Sequence, residues 1–598
     1  MEMLWFLSQR LSAIITPVHC TATIQITNQV RASFLSELEL KNASECLRQG
    51  DIQTAIRICN DLLALAPENS PALRLLATIQ IQTTDFASAV QTLSTLSALF
   101  PSDVSVIFNL GSALARQNRL DEAISCFRRA VALSPQSADI KWALALALKD
   151  AGQLTEAISL FRLVVQLRPD WIVGQIRLGD ALCAANRFGE AIEAYSSAAR
   201  LDPKASEPFL NLSWAYHFAG EYEKALVAAK RAAELSPNLV QSHIYLGNAH
   251  YDLGNLAEAI RCYEQALRLD PQSAVAHRNL GKTLLRIGDF ARGWPEYEWR
   301  WLADGMPTPA KRFPQPVWDG TSPRGQTILL YGEQGFGDQI QFFRYAHEVQ
   351  KMGARVIVQS HQRLTRLLRT GFGFDLLIGR NETPPKFDAQ ASFMSLPGIL
   401  GTTIDTIPAS ANYLSAEPSL VSHWQKILGD KSGIKVGIAW QGNPDYAGDR
   451  FRSLNLALFE GIAKSENVRL ISLQVGQGAK QISSCSFRDR IEDYCDQMDT
   501  GKDGFVDTAA VIANLDVVLS CDSSIAHLSG ALGKDTWILL NRDAEWRWFV
   551  DRNDSPWYPS VRLFRQAQLG NWEQVVERVS EALKNPAALS CGSFRLSG

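Results

Sequence analysis

The sequence predicts an α + α/β protein: an all-α repeat solenoid over residues 36–301, followed by a two-lobed α/β domain. Three observations carry that prediction. Prolines and alanines keep one shared period through the N-terminal half. The stretch Thr327-Ile-Leu-Leu-Tyr-Gly-Glu-Gln-Gly-Phe-Gly-Asp338 reads as a buried strand, a glycine-rich turn and the start of a helix. Near the C-terminus, Leu515-Asp-Val-Val-Leu-Ser-Cys-Asp522-Ser-Ser-Ile-Ala-His527 repeats the strand–turn–helix order.

Bulk properties narrow the function classes. The chain has 598 residues, too many for one core. Lys and Arg total 59 against 62 Asp and Glu, a formal charge of −3. That balance gives no footprint for nucleic acid or an anionic membrane. Ten cysteines form no CxxC pair and no Cys/His cluster, which argues against structural zinc and fits a reducing, cytoplasmic setting. Cys126 and Cys262 share one repeat position on an apolar helix face, which predicts buried free thiols. Met1–Ile15 starts with an acidic residue and is broken by Gln9 and Arg10, so neither an export signal nor membrane insertion is expected. Residues 1–35 read as a poorly ordered lead-in.

Over residues 36–301, Pro67, Pro101, Pro135, Pro169, Pro203, Pro237 and Pro271 recur with a period of 34. Ala55, Ala89, Ala123, Ala157, Ala191, Ala225 and Ala259 keep the same period. Gly111, Gly179, Gly247 and Gly281 lie on that grid too, as do the aromatics Phe127, Phe161, Tyr195 and Tyr263. Small residues let two antiparallel helices approach, the aromatic fills space between neighbours, and proline ends the second helix. The pattern resembles the tetratricopeptide repeat, with about eight repeats. In the last one Gly293 replaces the alanine, and Trp294, Tyr297, Trp299 and Trp301 read as a cap against the next domain. The resemblance implies a groove, lined by the first helix of each repeat, that holds an extended peptide or partner protein. Asn109, Asn211, Asn248 and Asn279 fall on first helices, either as holders of a peptide backbone or as solvated polar positions.

Residues 302–326 form a stiff joint, with Pro307, Pro309, Pro314, Pro316 and Pro323, and with Phe313 and Trp318 to pin it. The first lobe spans 327–410. Gly332, Gly335 and Gly337 follow its opening strand, and Asp338 at the mouth of the turn is either a helix N-cap or a general base. A strand at Ala354–Gln359, a helix at Gln362–Arg369, a strand near Phe374–Ile378 and an apolar run at Phe387–Leu396 continue the alternation. Such alternation predicts a parallel sheet with ligands at the C-terminal strand ends. No acidic residue stands at the dinucleotide spacing, and the Walker lysine pattern is missing.

The second lobe spans 411–598. Strand Ile434–Trp440 leads to the basic segment Asp449-Arg-Phe-Arg452-Ser453, then a helix from Leu456 and a strand at Val468–Leu473. After Asp522, Ser523 and Ser524 are placed to cap a helix whose N–H groups suit a phosphate. Strand Thr536–Leu540, the run Glu545-Trp-Arg-Trp548, Pro556-Trp-Tyr-Pro559, strand Val561–Phe564 and a helix from Trp572 complete the lobe.

Two such lobes resemble the GT-B glycosyltransferase fold. Gly335-Phe-Gly-Asp338 and Asp522-Ser-Ser-Ile-Ala-His527 look most like glycosyltransferase family 9, the lipopolysaccharide heptosyltransferases. The order of repeat array and then transferase domain resembles the O-linked N-acetylglucosamine transferases. The resemblance implies a nucleotide-sugar donor, no cofactor and no metal. It makes Asp338 the base that deprotonates the acceptor, beside Gly335 and Gly337. It gives Asp522, Ser523, Ser524 and His527 the donor diphosphate, with charge from Arg450 and Arg452. Family 9 usually carries glycine where this chain has Ser524. Bland readings stand beside these roles: His527 as a core residue, Arg450 and Arg452 on a solvated loop, Asp522 as a cap. Two function classes follow: a glycosyltransferase acting on a protein held by the repeats, or a repeat scaffold whose transferase-like domain only binds. Transfer to a lipid-linked glycan lacks the basic amphipathic face it would need.

Overall fold

The computed structural model describes residues 36–306, 308, 312–409, 412–446 and 448–584. The lead-in expected over 1–35, and Pro307 and Pro309 of the joint, lie outside the described residues. The chain divides into two compact units, residues 1–221 and 222–598.

In the first unit, helices of 13 and 14 residues alternate from Ile52–Leu65 and Ser70–Gln82 onward to Glu207–Ala219. Their starts are fixed locally. Asp51, Asn69, Asp85, Asp103 and Ser137 are N-caps whose side chains accept backbone N–H groups, which satisfies donors that the first turn leaves open. The glycine of a first helix seats the aromatic ring of the second helix of the same repeat. A Cβ on Gly179 would lie 2.4 Å from the Tyr195 ring, and one on Gly111 would lie 2.8 Å from Phe127. Tyr195 also donates to Asp180 at 2.8 Å. Periodicity in the sequence is thus a record of ring-on-glycine packing. Cys126 is buried on this grid, as expected, but its equivalent Cys262 in the second unit is only half-buried.

The second unit begins with further repeat helices, and the Gly247–Tyr263 pair keeps the same arrangement, with Tyr263 donating to Asn248 at 2.8 Å. The repeat pattern ends at Phe290–Tyr297, a helix of 8 residues that contains Pro295. Pro295 lacks the amide that would bond the Ala291 carbonyl, which weakens this helix from within. The short Arg300–Ala303 helix follows. Phe290 lies 5.9 Å from Phe549, and Trp294 lies 5.4 Å from Trp546, so the aromatic cluster packs on the second lobe. Trp294 also donates to the Thr402 carbonyl of the first lobe at 3.3 Å.

Among the described residues ten strands build two sheets, and every strand pair in them is parallel. They are β1 (Thr327–Tyr331), β2 (Arg355–Ser360), β3 (Leu376–Gly379), β4 (Ala389–Ser392), β5 (Ile434–Ala439), β6 (Val468–Ser472), β7 (Ile491–Glu492), β8 (Val517–Cys521), β9 (Thr536–Leu540) and β10 (Val561–Arg565). The first sheet has the order β3-β2-β1-β4 and the second β10-β9-β8-β5-β6-β7. β1, β4, β8 and β9 are buried along nearly their whole length, which explains the apolar runs of β1 and β9. This is an α + α/β architecture, a helical solenoid followed by a region of parallel sheets.

Several helices are shorter than the sequence suggests. The segment expected as a helix at Gln362–Arg369 is a 3-10 turn, Gln362–Leu364, followed by Thr365–Leu368. The helix expected from Leu456 likewise opens as a 3-10 turn at Leu456–Phe459, where Asn455 caps Ala457. The apolar run Phe387–Leu396 contains only the short β4, because the Ser392 hydroxyl accepts the Ser395 N–H and turns the chain out of the sheet. Among the described residues no helix is long and apolar enough to cross a membrane.

Candidate functional site

Both sequence motifs sit at C-terminal strand ends, where parallel sheets leave room for ligands. After β1, the Gly332 N–H continues the ladder by donating to the Gln359 carbonyl at 2.9 Å. The Phe336–Phe342 helix then begins with Gly335 as its N-cap. Asp338 is the third residue of that helix, and its Oδ2 accepts the Gly335 N–H at 3.1 Å. After β8, Ser523 is the N-cap of Ser524–Ala531, its hydroxyl accepting the Ile525 N–H at 3.3 Å. Ser524 is the first residue of that helix, and Asp522 does not cap it.

The two helices touch at Gly337. A Cβ there would lie 2.7 Å from His527 Cδ2, so only a glycine lets the two turns come this close. The structure therefore brings Gly335, Gly337 and Asp338 together with Asp522, Ser523, Ser524 and His527. His527 Nδ1 is 2.9 Å from the Tyr558 hydroxyl, and its ring stacks on Trp548 at 5.4 Å. Burial pushes its pKa well below the usual histidine range, and Arg547, Arg344 and Arg452 push the same way. The ring is thus neutral and offers a single N–H.

Arg547 is the centre of the site's electrostatics. Its guanidinium pairs with Asp338 Oδ1, with Glu545 Oε2 at 2.5 Å, and donates from Nε to Gln341 Oε1 at 2.8 Å. Burial raises the Asp338 pKa, with Arg547 opposing and Glu545 assisting. Burial raises Asp522 too, against the attraction of Arg452. Two raised carboxylates and a neutral imidazole make a site suited to moving or sharing protons.

Arg452 belongs to this group. It donates from Nε to Asp449 at 3.1 Å, and Ser453 holds the other Asp449 oxygen at 2.8 Å. Arg450 has a different neighbour. Its guanidinium lies over the Phe451 ring at 4.6 Å, and that ring is 6.5 Å from Tyr222. Asn109 is exposed on Val104–Arg116 and Asn211 half-buried on Glu207–Ala219, both in the first unit. In the second unit Asn279 donates to Asn248 Oδ1 at 2.9 Å, the same oxygen that Tyr263 uses. That oxygen is already engaged within the repeats.

Sequence reasoning missed Arg547, because a lone arginine between two tryptophans reads as the exposed edge of a core segment. The available signal was its composition: a charge within an apolar run is buried only when carboxylates await it. Arg344 was missed for the same reason. It is buried, bonds the Pro408 carbonyl at 3.2 Å and the Tyr413 hydroxyl at 3.1 Å, and reaches the Trp557 carbonyl, tying the two lobes.

With the site's geometry in place, comparison with known proteins is informative for the repeats. The family described as "Tetratricopeptide repeat" matches residues 47–113, 108–170 and 176–239, and that described as "TPR repeat" matches 247–288. The chain carries tetratricopeptide repeats. Among curated proteins it is similar to Protein FlbA of Caulobacter vibrioides, 27% identical over 316 residues, which cover 50% of this chain and 52% of that protein. The alignment thus spans about half the length of this relative. Solved structures similar to the chain include MamA of Desulfovibrio magneticus RS-1, with 19% identity, 28% of this chain and 96% of that one covered, and a TM-score of 0.27. Another is the C-terminal part of a TPR repeat-containing protein of Cytophaga hutchinsonii, with 16% identity, 40% and 99% covered, and a TM-score of 0.35. The repeats support a role as a protein-interaction scaffold.

Proposed function

We propose that this chain is a glycosyltransferase that moves a sugar from a nucleotide-sugar donor to an acceptor, with a protein acceptor held by the repeats. The observation that supports this reading is the contact between Gly337 and His527, which places the Asp338 carboxylate and the Ser524–Ala531 helix N-terminus in one site. Displacement at an anomeric carbon needs a base near the acceptor hydroxyl and positive character near the departing diphosphate. Asp338, with its pKa raised by burial, suits the first task. The helix N-terminus and Arg452 suit the second. The site is placed in the cytoplasm by the same reading, in keeping with the unpaired thiols.

One observation favours the scaffold reading. Asp338 already holds Arg547 with one oxygen and the Gly335 N–H with the other, as a purely structural carboxylate would. Calorimetric titration with UDP, GDP, ADP and CMP tests the choice. Saturable binding of one nucleotide, lost in a Ser523→Ala, His527→Ala variant, is expected. Binding of none of them would leave the repeats as the function. Asp338→Asn should then stop transfer while sparing nucleotide affinity, and unchanged turnover would remove Asp338 as the base.

A further inference from the structure

The first helix of the last repeat, Ala274–Arg286, ends on a buried guanidinium. Arg286 is 1% exposed, its Cζ lies 4.7 Å over the Tyr251 ring, and its Nη2 donates to Asp543 Oδ1 at 3.4 Å. Asp543 is shared. Arg542 pairs with it at 3.2 Å while donating to the Asp252 carbonyl at 2.8 Å. Arg286 Nε and Nη1 are buried and have no hydrogen-bond partner among the described residues. Burial disfavours the charge on this guanidinium, but Tyr251 and Asp543 outweigh it and hold the charge in place.

A second guanidinium with open N–H groups stands at the end of β10. Arg565 pairs in register with Leu540 at the end of β9, three residues before Asp543. Strand alternation puts Arg565 on the face of Leu563. Leu563 and Leu540 belong to the core that also holds Leu285 and Phe290. Arg565 Nη2 donates to the Trp548 and Phe549 carbonyls at 2.8 and 2.9 Å. The Phe549 ring would lie 3.9 Å from a Cβ on Gly288, two residues after Arg286. Arg565 Nε and Nη1 are also buried without a partner, so its acceptors among the described residues are backbone carbonyls alone. Burial brings its pKa down to about 10, and the charge of Arg286 pushes the same way, against Asp543, Asp551 and Asp522.

A buried N–H without an acceptor is costly, more so on a charged group. Here two guanidiniums leave such groups open, and the one carboxylate paired with Arg286 is divided between it and Arg542. A phosphate group carries several oxygens, accepts from two guanidiniums at once, and offsets the repulsion between them. We propose that Arg286 and Arg565 hold a phosphate group between the end of the Ala274–Arg286 helix and the ends of β9 and β10. The proposal is independent of the transferase reading, because inorganic phosphate and the diphosphate of a nucleotide share this chemistry.

The test uses the full chain, in chloride and in phosphate at equal ionic strength, with Arg286→Met, Arg286→Lys and Arg565→Met. Calorimetric titration with inorganic phosphate and with UDP reads affinity, and far-UV circular dichroism with the melting temperature establishes folding. Wild type should bind phosphate saturably and melt higher in phosphate than in chloride. Arg286→Met and Arg565→Met should each weaken phosphate about tenfold or more. Arg286→Lys covers the case in which Arg286→Met does not fold, and it should weaken phosphate less. Displacement of phosphate by UDP would assign the site to a nucleotide's diphosphate. Phosphate binding that UDP leaves untouched would assign it to the free anion. No saturable phosphate binding, with equal melting in the two salts, would overturn the proposal. So would phosphate affinity retained in both folded Met variants, which means an adventitious ion only, and so would a loss in one variant alone, which dissolves the shared site.

Discussion

Carboxylates in the repeats and carboxylates at the sheet edges are used in opposite ways. Asp51, Asp85 and Asp103 sit at helix starts in the first unit, and hydrogen bonds hold their pKa values below the usual range, from Thr54, from Ser88 and from Arg74 with the local backbone. Glu333, Asp338 and Asp522 of the second unit lie at strand ends, and burial drives theirs up. The first group is ionised at little cost and closes helices in water. The second is held in a place that disfavours its charge and persists only because guanidiniums stand beside it. A repeat can therefore lose any one carboxylate with a local effect, whereas the charges of the sheet edges depend on one another.

The largest expected effect tests that dependence. Replacing Arg547 by Met leaves Asp338 and Glu545 without their buried partner and should cost about 3–5 kcal/mol of stability, read from urea denaturation. In the repeats, Arg168 and Asp139 pair at 2.8 Å with side chains 41% and 68% exposed. Arg168→Met should leave the denaturation midpoint essentially unchanged, because exposed pairs are screened. Equal losses in the two variants would break the distinction.

A smaller effect concerns pH. Glu333 follows β1, its side chain is 1% exposed against Arg300, and burial lifts its pKa to about 6 from 4.5. The folded state therefore binds this proton more tightly than the unfolded chain. Its contribution to stability is complete below pH 4.5 and is lost as pH rises through 6, a loss of about 2 kcal/mol. Asp103 has the opposite sign: its contribution is present above the ordinary aspartate pKa and is lost as pH falls through the lowered one. Denaturation midpoints from pH 4 to 7 should flatten in Glu333→Gln relative to wild type. An unchanged slope would assign the pH dependence elsewhere.

The same contrast governs what the sequence makes legible. Repeats announce themselves because each ring-on-glycine contact, such as Tyr195 against Gly179, recurs at a fixed spacing. β1 and β9 are equally plain, since strands buried on both faces read as unbroken apolar runs. The two motif turns were legible as strand, turn and helix. Their meeting at Gly337 and His527 was not, because residues nearly two hundred apart give no periodic signal. Arg547 and Glu333 escaped for a related reason: a single charge shows its role only through partners that the chain brings from elsewhere. The strand order of the second sheet, with β5 between β8 and β6, is a product of such distant pairing.

The smallest expected effect sharpens the comparison, because it sets two N-caps side by side. Asp85 accepts the Ser88 N–H at 3.1 Å in the repeats, and Ser523 accepts the Ile525 N–H at 3.3 Å beside the candidate site. Each caps a helix start, and replacing either by alanine should cost about 1 kcal/mol, a modest fall in melting temperature. Stability alone will not tell them apart. Nucleotide titration should, because Ser523 stands at the helix N-terminus assigned to the diphosphate, while Asp85 belongs to the first unit. Ser523→Ala is expected to weaken binding of the nucleotide and Asp85→Ala to leave it unchanged. If both variants keep full affinity, Ser523 is a cap and nothing more, and the sheet-edge helix start differs from a repeat helix start only in its surroundings.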